Sequence, residues 1–306
     1  MNIASWINKE RRLTSFIGLL LAGFILTSCS SKLVAPSTTV APIKLNPIMI
    51  IPTQPDITAI STSIGPAVWI VAGPSQARVV AQYGLNSQGQ LRSFPVGSSA
   101  TSVADNFAGV LAVGFGDLAT QMGYIEFYSD VTTNYLGQLS MPGPVLNLAR
   151  FGYTGEIVAL VSVGQAKNIY FINPEQMKIQ AHFTVNPLTI SMATGYDPSS
   201  FFTLYSNGQV ASIESSNGAA SSLFKTAVVS RAIATTADRS IILTLQCGAT
   251  FCNVVLTQSA TEQDLNAIPA PSATTAIAVT GNGYLVDAVG TPQVGNLQVF
   301  DVSKYI

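Results

Sequence analysis

A repeat of about 43 residues constrains the fold of this chain more than any other feature. Its clearest part is an apolar stretch followed by a polar turn, as in "IYFINPEQMKI". Similar stretches lie 44, 41, 44 and 43 residues apart, and a looser copy lies 46 residues before the first of them. They begin at Val79, Ile125, Ile169, Val210, Val254 and Leu297. Fixed periods of this length are typical of proteins built from stacked structural units.

The sequence of one unit predicts four short β-strands. In the clearest unit they are "VLNLARF" (145–151), "EIVALVSV" (156–163), "NIYFIN" (168–173) and "KIQAHFTV" (178–185). The second strand is almost continuously apolar, which is typical of strands covered on both faces. Four antiparallel strands per period of about 40–45 residues indicate a blade of a β-propeller. We therefore predict an all-β fold of four-stranded antiparallel blades.

The repeats favour six blades over seven. The predicted blades span 57–97, 101–141, 145–185, 188–227, 229–269 and 274–306. The last blade lacks an outer strand, because only "KYI" follows "LQVFDVS". We expect "NPIMIIP" at Asn46–Pro52 to supply that strand and close the ring. The alternative is that this segment adds to the sheet edge of a partner.

Two Asn-Gly pairs lie where the four-strand pattern requires hairpins. Asn207-Gly208 separates "SFFTLYS" from "QVASIE", and Asn217-Gly218 separates "VASIESS" from "AASSLF". Asn-Gly favours a type I′ turn, in which both central residues have positive φ. We therefore predict type I′ hairpins at both places.

The period and the turns together resemble bacterial propellers of the YVTN/WD40-like type. The resemblance covers most of the chain after residue 57, and several third strands end in Asn or an acidic residue (Asn173, Glu214 and Asp301). The Gly-His and Trp-Asp pairs of WD40 repeats and a literal Tyr-Val-Thr-Asn do not occur in it. The resemblance implies an architecture only, since propellers include enzymes, receptors and scaffolds.

The amino-terminal segment has the pattern of a secretory signal. A basic region precedes an apolar one, and Leu26-Thr27-Ser28-Cys29 follows. These four residues resemble the lipobox of bacterial lipoproteins, which implies cleavage before Cys29 and acylation of that cysteine. Ser30 rather than Asp after the cysteine is similar to outer-membrane sorting in Gram-negative lipoproteins. The alternatives are an ordinary signal peptide or an uncleaved membrane anchor.

These features divide the chain into three parts. Residues 1–28 are predicted to be the signal peptide, and residues 29–56 the lipidated cysteine, a Pro/Ser/Thr-rich tether and the closing strand. Residues 57–306 are predicted to be the propeller. Proline-rich segments are extended and semi-rigid, so the tether is expected to hold the domain away from a membrane.

The low charge of the chain raises the question of a membrane-spanning protein. Only 9% of the residues are charged and 48% are hydrophobic. A spanning helix needs about 20 consecutive apolar residues, whereas the longest run, Phe16 to Leu26, covers 11. The net charge of −1 gives no basic surface for nucleic acid. We therefore expect contact with the membrane through the lipid on Cys29 alone, and no nucleic-acid partner.

Two cysteines remain besides Cys29. In "LQCGATFCNV", Cys247 ends one predicted strand and Cys252 begins the next, which places them opposite each other in a hairpin. Outside the cytoplasm such a pair predicts a structural disulfide. A metal site would need further ligands, and a redox pair more commonly has two intervening residues.

Side chains suited to catalysis are sparse. His182, the only histidine, lies in a predicted outer strand, so no site with two histidines can form. Glu262 and Asp264 are closely paired, but in a predicted solvated hairpin. Four other carboxylates are predicted near blade turns, where Asp commonly stabilises the backbone: Asp105, Asp197, Asp238 and Asp287. We predict no catalytic residue, cofactor or metal site.

The sequence favours a non-enzymatic protein–protein interaction scaffold. We expect a lipid-anchored subunit of a multi-protein envelope complex for outer-membrane assembly or secretion, facing the periplasm. One alternative is a propeller hydrolase, such as a lactonase or glycosidase, which requires carboxylates that converge at the channel. The other is a surface-exposed adhesin or ligand-binding lipoprotein.

Overall fold

The computed structural model describes residues 41–43, 45–153 and 155–306. The predicted signal peptide and Cys29 lie outside these residues, so the proposed three-part division of the chain stays a prediction. In the described part all regular structure is β-strand. The strands are β1 (Met49–Thr53), β2 (Ala59–Thr62), β3 (Ala67–Ala72), β4 (Val79–Gly84), β5 (Gly89–Pro95), β6 (Ala100–Asp105), β7 (Val110–Asp117), β8 (Met122–Ser129), β9 (Tyr135–Met141), β10 (Val145–Phe151), β11 (Glu156–Val163), β12 (Ala166–Asn173), β13 (Lys178–Val185), β14 (Thr189–Ala193), β15 (Ser200–Tyr205), β16 (Gln209–Glu214), β17 (Ala220–Lys225), β18 (Ser230–Thr235), β19 (Ile241–Cys247), β20 (Cys252–Gln258), β21 (Asp264–Ala270), β22 (Thr274–Val279), β23 (Tyr284–Gly290) and β24 (Gly295–Asp301).

The strands form six antiparallel sheets of four strands each, which are the six predicted blades. Blades 1 to 5 are consecutive meanders: β2–β5, β6–β9, β10–β13, β14–β17 and β18–β21. Blade 6 has the order β1-β24-β23-β22. The first strands of neighbouring blades contact one another around the whole ring, including β2 with β22. The molecule is therefore a closed six-bladed β-propeller, as predicted.

The ring is closed by the segment that the sequence indicated. Strand β1 pairs antiparallel with β24, from Met49 opposite Val299 to Thr53 opposite Gly295. Ile51 of β1 is buried in the core between blades 6 and 1. Closure therefore joins the two ends of the propeller within one sheet and removes the exposed edge that β24 would otherwise present.

The chain before β1 also packs against the propeller. Pro42 forms a parallel bridge with Ala267 of β21, and the Ile43 amide donates to the Ala267 carbonyl at 2.8 Å. Ile43 and Leu45 pack on the core between blades 5 and 6. The amino-terminal chain thus touches the outer strand of blade 5 before it forms the outer strand of blade 6.

Apolar side chains fill the spaces between blades. Separate core clusters lie between neighbouring blades, and the second strands contribute the most completely buried residues. Strand β3, for example, is buried along its whole length. Blades that expose both faces when alone are stabilised by this stacking, which explains the nearly continuous apolar runs of the second strands.

The prediction of type I′ turns is wrong at both Asn-Gly pairs. Only the glycines, Gly208 and Gly218, have positive φ, at 83° and 73°. Each asparagine instead accepts a hydrogen bond on its side-chain oxygen: Asn207 from the Gln209 amide at 3.0 Å, and Asn217 from the Ala219 amide at 2.7 Å. The hairpins form where expected, but their loops are longer than two residues, so asparagine need not take positive φ.

Candidate functional site

The propeller has two faces of different construction. At the inner wall the Thr101 hydroxyl, near the start of β6, donates to the Val145 carbonyl at the start of β10, at 2.7 Å. Thr275 of β22 likewise donates to the Ile57 carbonyl just before β2, at 2.9 Å. First strands of neighbouring blades therefore run in the same direction. Face 1 is the side of the propeller on which the first strands begin. It also contains the loops between second and third strands and the connections between blades. Face 2 is the opposite side, on which the first strands end. It contains the loops between first and second strands and between third and fourth strands.

A central channel runs between the six first strands. Its volume is about 490 Å³, and residues from β2, β6, β10, β14, β18 and β22 line it. The charged side chains in this lining are Arg150 and Arg231. No Asp, Glu, His or Cys is among the described residues that line it. The channel wall is therefore positive, and no pair of carboxylates faces its interior.

Aromatic rings and an arginine gather at the face 2 mouth. The Arg150 guanidinium lies over the rings of Phe107 and Tyr196, 3.9 and 4.7 Å from their centroids. Tyr153 stacks on Tyr196 with 4.3 Å between ring centroids. A β-carbon placed on Gly281 of blade 6 would lie 3.6 Å from the Tyr196 hydroxyl, so this ring reaches across the mouth from blade 4. These side chains narrow the channel at face 2.

The face 1 mouth is built from bulged residues. Five first strands carry a register shift near their start, which leaves one residue without a partner in the next strand. These residues are Thr101, Leu146, Ile190, Arg231 and Thr275, and all of them line the channel. The threonines bond to backbone carbonyls, whereas Leu146, Ile190 and Arg231 carry larger side chains. Blades 3 to 5 therefore give this mouth an apolar and basic side.

Next to this mouth, blades 4 and 5 expose several large apolar side chains. We call them the apolar arc: Leu188, Ile190, Val228, Val229 and Phe251. Backbone hydrogen bonds connect their loops in order, from the Ser206 amide to the Leu188 carbonyl at 2.8 Å, from the Thr226 amide to the Gly208 carbonyl at 2.9 Å and from the Cys247 amide to the Val229 carbonyl at 3.0 Å. The loops that carry the arc in blades 4 and 5 are therefore hydrogen-bonded to one another.

The predicted disulfide forms within this surface. Cys247 and Cys252 are paired across β19 and β20 and are bonded to each other. The loop that they close presents Phe251, which is 55% exposed, and the Gly248 amide donates to the Phe251 carbonyl at 2.9 Å. The disulfide therefore limits the conformations of the loop that carries the largest side chain of the arc.

Charge is unequally distributed between the faces. Besides the buried Asp105 at the end of β6, turns and strand ends on face 2 carry nine carboxylates: Asp130, Glu156, Glu175, Asp197, Glu214, Asp238, Glu262, Asp264 and Asp301. The basic residues there are Arg92, Arg150, Lys178, Arg239 and Lys304. Among the described residues, face 1 has the acids Asp56 and Asp117 and the bases Arg78, Lys167, Lys225 and Arg231. Face 2 is thus net negative and face 1 net positive.

Most of the carboxylates singled out in the sequence stabilise turns. Asp197 and Asp238 follow the first strands of blades 4 and 5 and accept backbone amides of Ser199 and Ser240, at 2.8 and 3.0 Å. These bonds, together with those from the Ser199 and Thr236 side chains, hold the pKa of both carboxyls below its usual value. Their predicted structural role is confirmed.

The close pair Glu262 and Asp264 lies at the β20–β21 hairpin, as expected. Glu262 is exposed and has positive φ, and its amide donates to the Gln258 carbonyl at 2.8 Å. Asp264 accepts a hydrogen bond from the Thr257 hydroxyl at 2.7 Å. The hairpin is at the outer strand of blade 5, away from the channel, so the pair does not face a substrate cavity.

Asp105 belongs to a buried polar network between blades 1 and 2. Its carboxylate accepts hydrogen bonds from the Ser63 hydroxyl at 2.8 Å, the Trp69 ring nitrogen at 3.2 Å and the Phe107 amide at 2.8 Å. Gln82 donates to the Ser63 hydroxyl at 2.9 Å. Burial raises the pKa of the Asp105 carboxyl, and these hydrogen bonds partly offset the effect. The network connects two blades at the inner end of their sheets.

The prediction that Asp287 lies near a turn is wrong. It is within β23 and fully buried, and neither carboxylate oxygen has a hydrogen-bond partner. Its cross-strand neighbour Ile277 and the nearby Leu285 belong to the core between blades 5 and 6. Burial raises the pKa of this carboxyl to about 8. This site was not predictable from the sequence, because an Asp among apolar strand residues resembles an Asp at a strand end.

His182 lies where it was expected, in the exposed outer strand of blade 3. Its ring stacks on Tyr170 with 5.2 Å between centroids. No group of three or more His, Cys, Asp or Glu side chains suited to a metal ion occurs in the part of the chain that the structure describes. Within that same part, no helix has the length and apolar character needed to cross a membrane.

The geometry defines a six-bladed propeller with a positive channel and one apolar, basic face. No protein-family model matches the chain, and a search of curated proteins found no match either. The function of this chain is therefore inferred from its own residues. Cys29, the predicted lipidation site, lies outside the described residues. The apolar arc and the Arg150 cluster were missed from the sequence because their members are far apart in the chain.

Proposed function

We propose that this protein is a non-enzymatic interaction scaffold, a lipid-anchored subunit of a multi-protein complex in the bacterial envelope. The observation that carries the proposal is the apolar arc on face 1. Soluble monomers rarely expose large contiguous apolar surfaces unless these bind a partner. Loops that are hydrogen-bonded to one another and partly fixed by a disulfide suit such a surface, since little order is then lost on binding.

The position of the protein in the cell follows, in this proposal, from the lipobox. Acylation of Cys29 would attach the chain to the outer membrane, and the domain would face the periplasm. Among the described residues, Pro42 is the first that contacts another part of the propeller, and it lies 13 positions after Cys29. An extended chain of that length spans roughly 40 Å. The propeller could therefore contact partners at that distance from the membrane while the lipid on Cys29 stays inserted.

The composition of the channel favours a scaffold over a hydrolase. A glycosidase needs two carboxyl groups on either side of the scissile bond, and the described lining offers none. His182, the only histidine available as a general base, is in an outer strand. The YVTN/WD40-like resemblance adds an architecture to this proposal but no reaction.

The native size of the solubilised protein tests the scaffold proposal. Envelopes are extracted in mild detergent, and the protein is followed by native electrophoresis and by size-exclusion chromatography. We expect migration with a large assembly whose other members are identified by mass spectrometry. Migration as a single chain plus detergent, no larger than the 32.1 kDa of the sequence before removal of the predicted signal peptide, would contradict the proposal. Protease treatment of intact cells separates the periplasmic subunit, which stays protected, from a surface adhesin.

A further inference from the structure

The apolar arc (Leu188, Ile190, Val228, Val229 and Phe251) has a chemistry that specifies its partner more closely. We propose that it is the docking surface for a protein segment that carries apolar anchor residues together with carboxylates. The inference rests on the interaction role proposed above and adds which face binds and what the bound segment is made of. Face 2 is then left for other contacts or for solvent.

The centre of the proposed surface is the pair Phe251 and Val229. They are 55% and 62% exposed, and the Cys247 amide joins their loops by donating to the Val229 carbonyl at 3.0 Å. The Cys247–Cys252 disulfide restricts the Phe251 loop before any partner arrives. Aromatic anchors held in a defined position contribute strongly to protein interfaces, because binding then costs little conformational entropy.

The charge of the partner follows from the surroundings of the arc. Lys225 ends β17 and Arg231 lies one residue inside β18, and both are exposed. The face 1 loops of blades 4 and 5 contain no Asp or Glu within the described chain, since the acids of this face are Asp56 and Asp117 near other blades. Complementary potentials steer and select partners. An acidic segment is therefore favoured over a basic one.

The shape of the surface favours a protein segment over a lipid bilayer. The arc borders the face 1 mouth of the channel, where Ile190 and Arg231 extend into a concave opening. A planar membrane surface cannot enter this opening, whereas a side chain of a peptide can. Two exposed basic residues are also few for electrostatic attachment to anionic lipid, which contributes about 1 kcal/mol per charge.

Photocrosslinking in living cells tests the proposal on the full-length protein. A photoreactive benzoyl-phenylalanine is placed at Phe251 or Val229, and in control proteins at Val131 or Leu118. Val131 is on face 2 and 70% exposed, and Leu118 is on face 1 of blade 2 and 62% exposed. We expect protein adducts at the two arc positions, at least about tenfold above both controls. Mapping the adduct should give a segment with apolar residues and at least one Asp or Glu.

Two further substitutions test the chemistry of the contact. With the crosslinker at Val229, Phe251→Ser and Arg231→Glu are each expected to lower the adduct yield about tenfold or more, as for a central interface residue. The matched change Leu118→Ser should leave the yield unchanged. All three positions are exposed, and thermal unfolding shows whether the variants remain folded.

Several results would overturn the inference. In the crosslinking experiment these are adducts confined to the control positions, adducts to lipid instead of protein, and a partner segment that is basic. Binding of the purified protein to phosphatidylglycerol vesicles that Phe251→Ser abolishes would assign the arc to the membrane. If the native protein is found in a large assembly and the arc variants remain in it, this inference fails while the scaffold proposal stands. If no assembly is found, the scaffold proposal itself fails.

Discussion

Asp287 is a carboxylic acid at a buried register position where blades 4 and 5 have threonine. Thr203 and Thr244 pair with the first strand of blades 4 and 5 as Asp287 pairs with that of blade 6. Threonine can bond to a nearby carbonyl, as the Thr203 hydroxyl does to Ala211 at 3.4 Å. A buried carboxyl without a partner is costly when ionised, so it is expected to stay protonated to about pH 8.

This difference predicts a stability that falls as pH rises. The unfolded chain loses the Asp287 proton near pH 4, and the folded chain near pH 8. Between these values unfolding releases a proton, so the free energy of unfolding decreases with pH, by at most about 1.4 kcal/mol per pH unit. Denaturant unfolding between pH 4.5 and 8.5 measures the slope.

Asp287→Thr should remove most of that slope and raise the stability at pH 8. The exposed control Glu175→Gln should change neither. A slope that is the same in Asp287→Thr and in the native sequence would show that this carboxyl is not the group responsible.

Asp105 is the opposite case, a buried carboxylate whose partners are present. Asp105→Ala would leave the Trp69 ring nitrogen and the Ser63 hydroxyl without an acceptor, and we expect a loss of about 3 kcal/mol in the free energy of unfolding. Asp197→Ala, at an exposed turn, should cost less than about 1 kcal/mol. Equal effects of the two substitutions in urea unfolding would contradict the network.

At the scale of single elements, the Cys247–Cys252 hairpin can be tested by reduction. The loop is short, so the bond is expected to contribute about 2 kcal/mol in the chain-entropy model. Replacing both cysteines by serine should lower the free energy of unfolding by this amount. Reductant should lower the stability of the native sequence to the same level and leave the serine variant unchanged. A native sequence insensitive to reductant would mean that the bond does not stabilise the domain.

Elements were predicted well where the signal was local. The β13 strand, Lys178–Val185, has the predicted bounds, and the two cysteines face each other as their spacing indicated. Turn types were not predicted correctly, because the conformation of Asn207 depends on the loop length and on the hydrogen bond that its side chain accepts from the Gln209 amide. The Asn-Gly dipeptide is compatible with several turn types, and the positions at which the flanking strands end determine which of them forms.

At the scale of the whole molecule, stability depends on ring closure by β1. Ile51 is 1% exposed and Ile50, its neighbour in the same strand, is 57% exposed. Ile51→Ala is expected to cost about 2–4 kcal/mol, as for other buried isoleucines. Ile50→Ala should cost less than about 0.5 kcal/mol. Chemical denaturation of both variants measures these losses in the free energy of unfolding. Equal losses for the two variants would contradict ring closure by β1.

The number of blades and the closing segment were predictable because each repeat carries its own strand pattern. The apolar arc and the opposite charges of the two faces were not predictable. Phe251, Val229 and Leu188 are separated by up to 63 residues in the chain and meet only when the blades are stacked. The net charge of −1 conceals a negative face 2 and a positive face 1, since it averages over both.

The route of the chain from Pro42 to β1 has a mechanical consequence. Any force applied to the amino terminus, as by an attachment to a membrane that bends or moves, is transmitted along the chain in order. It reaches the isolated bridge between Pro42 and Ala267 first and the β1–β24 pairing second. After that one bridge to blade 5, the β1–β24 pairing that closes the ring is therefore the part of the propeller that bears the load, before any other sheet.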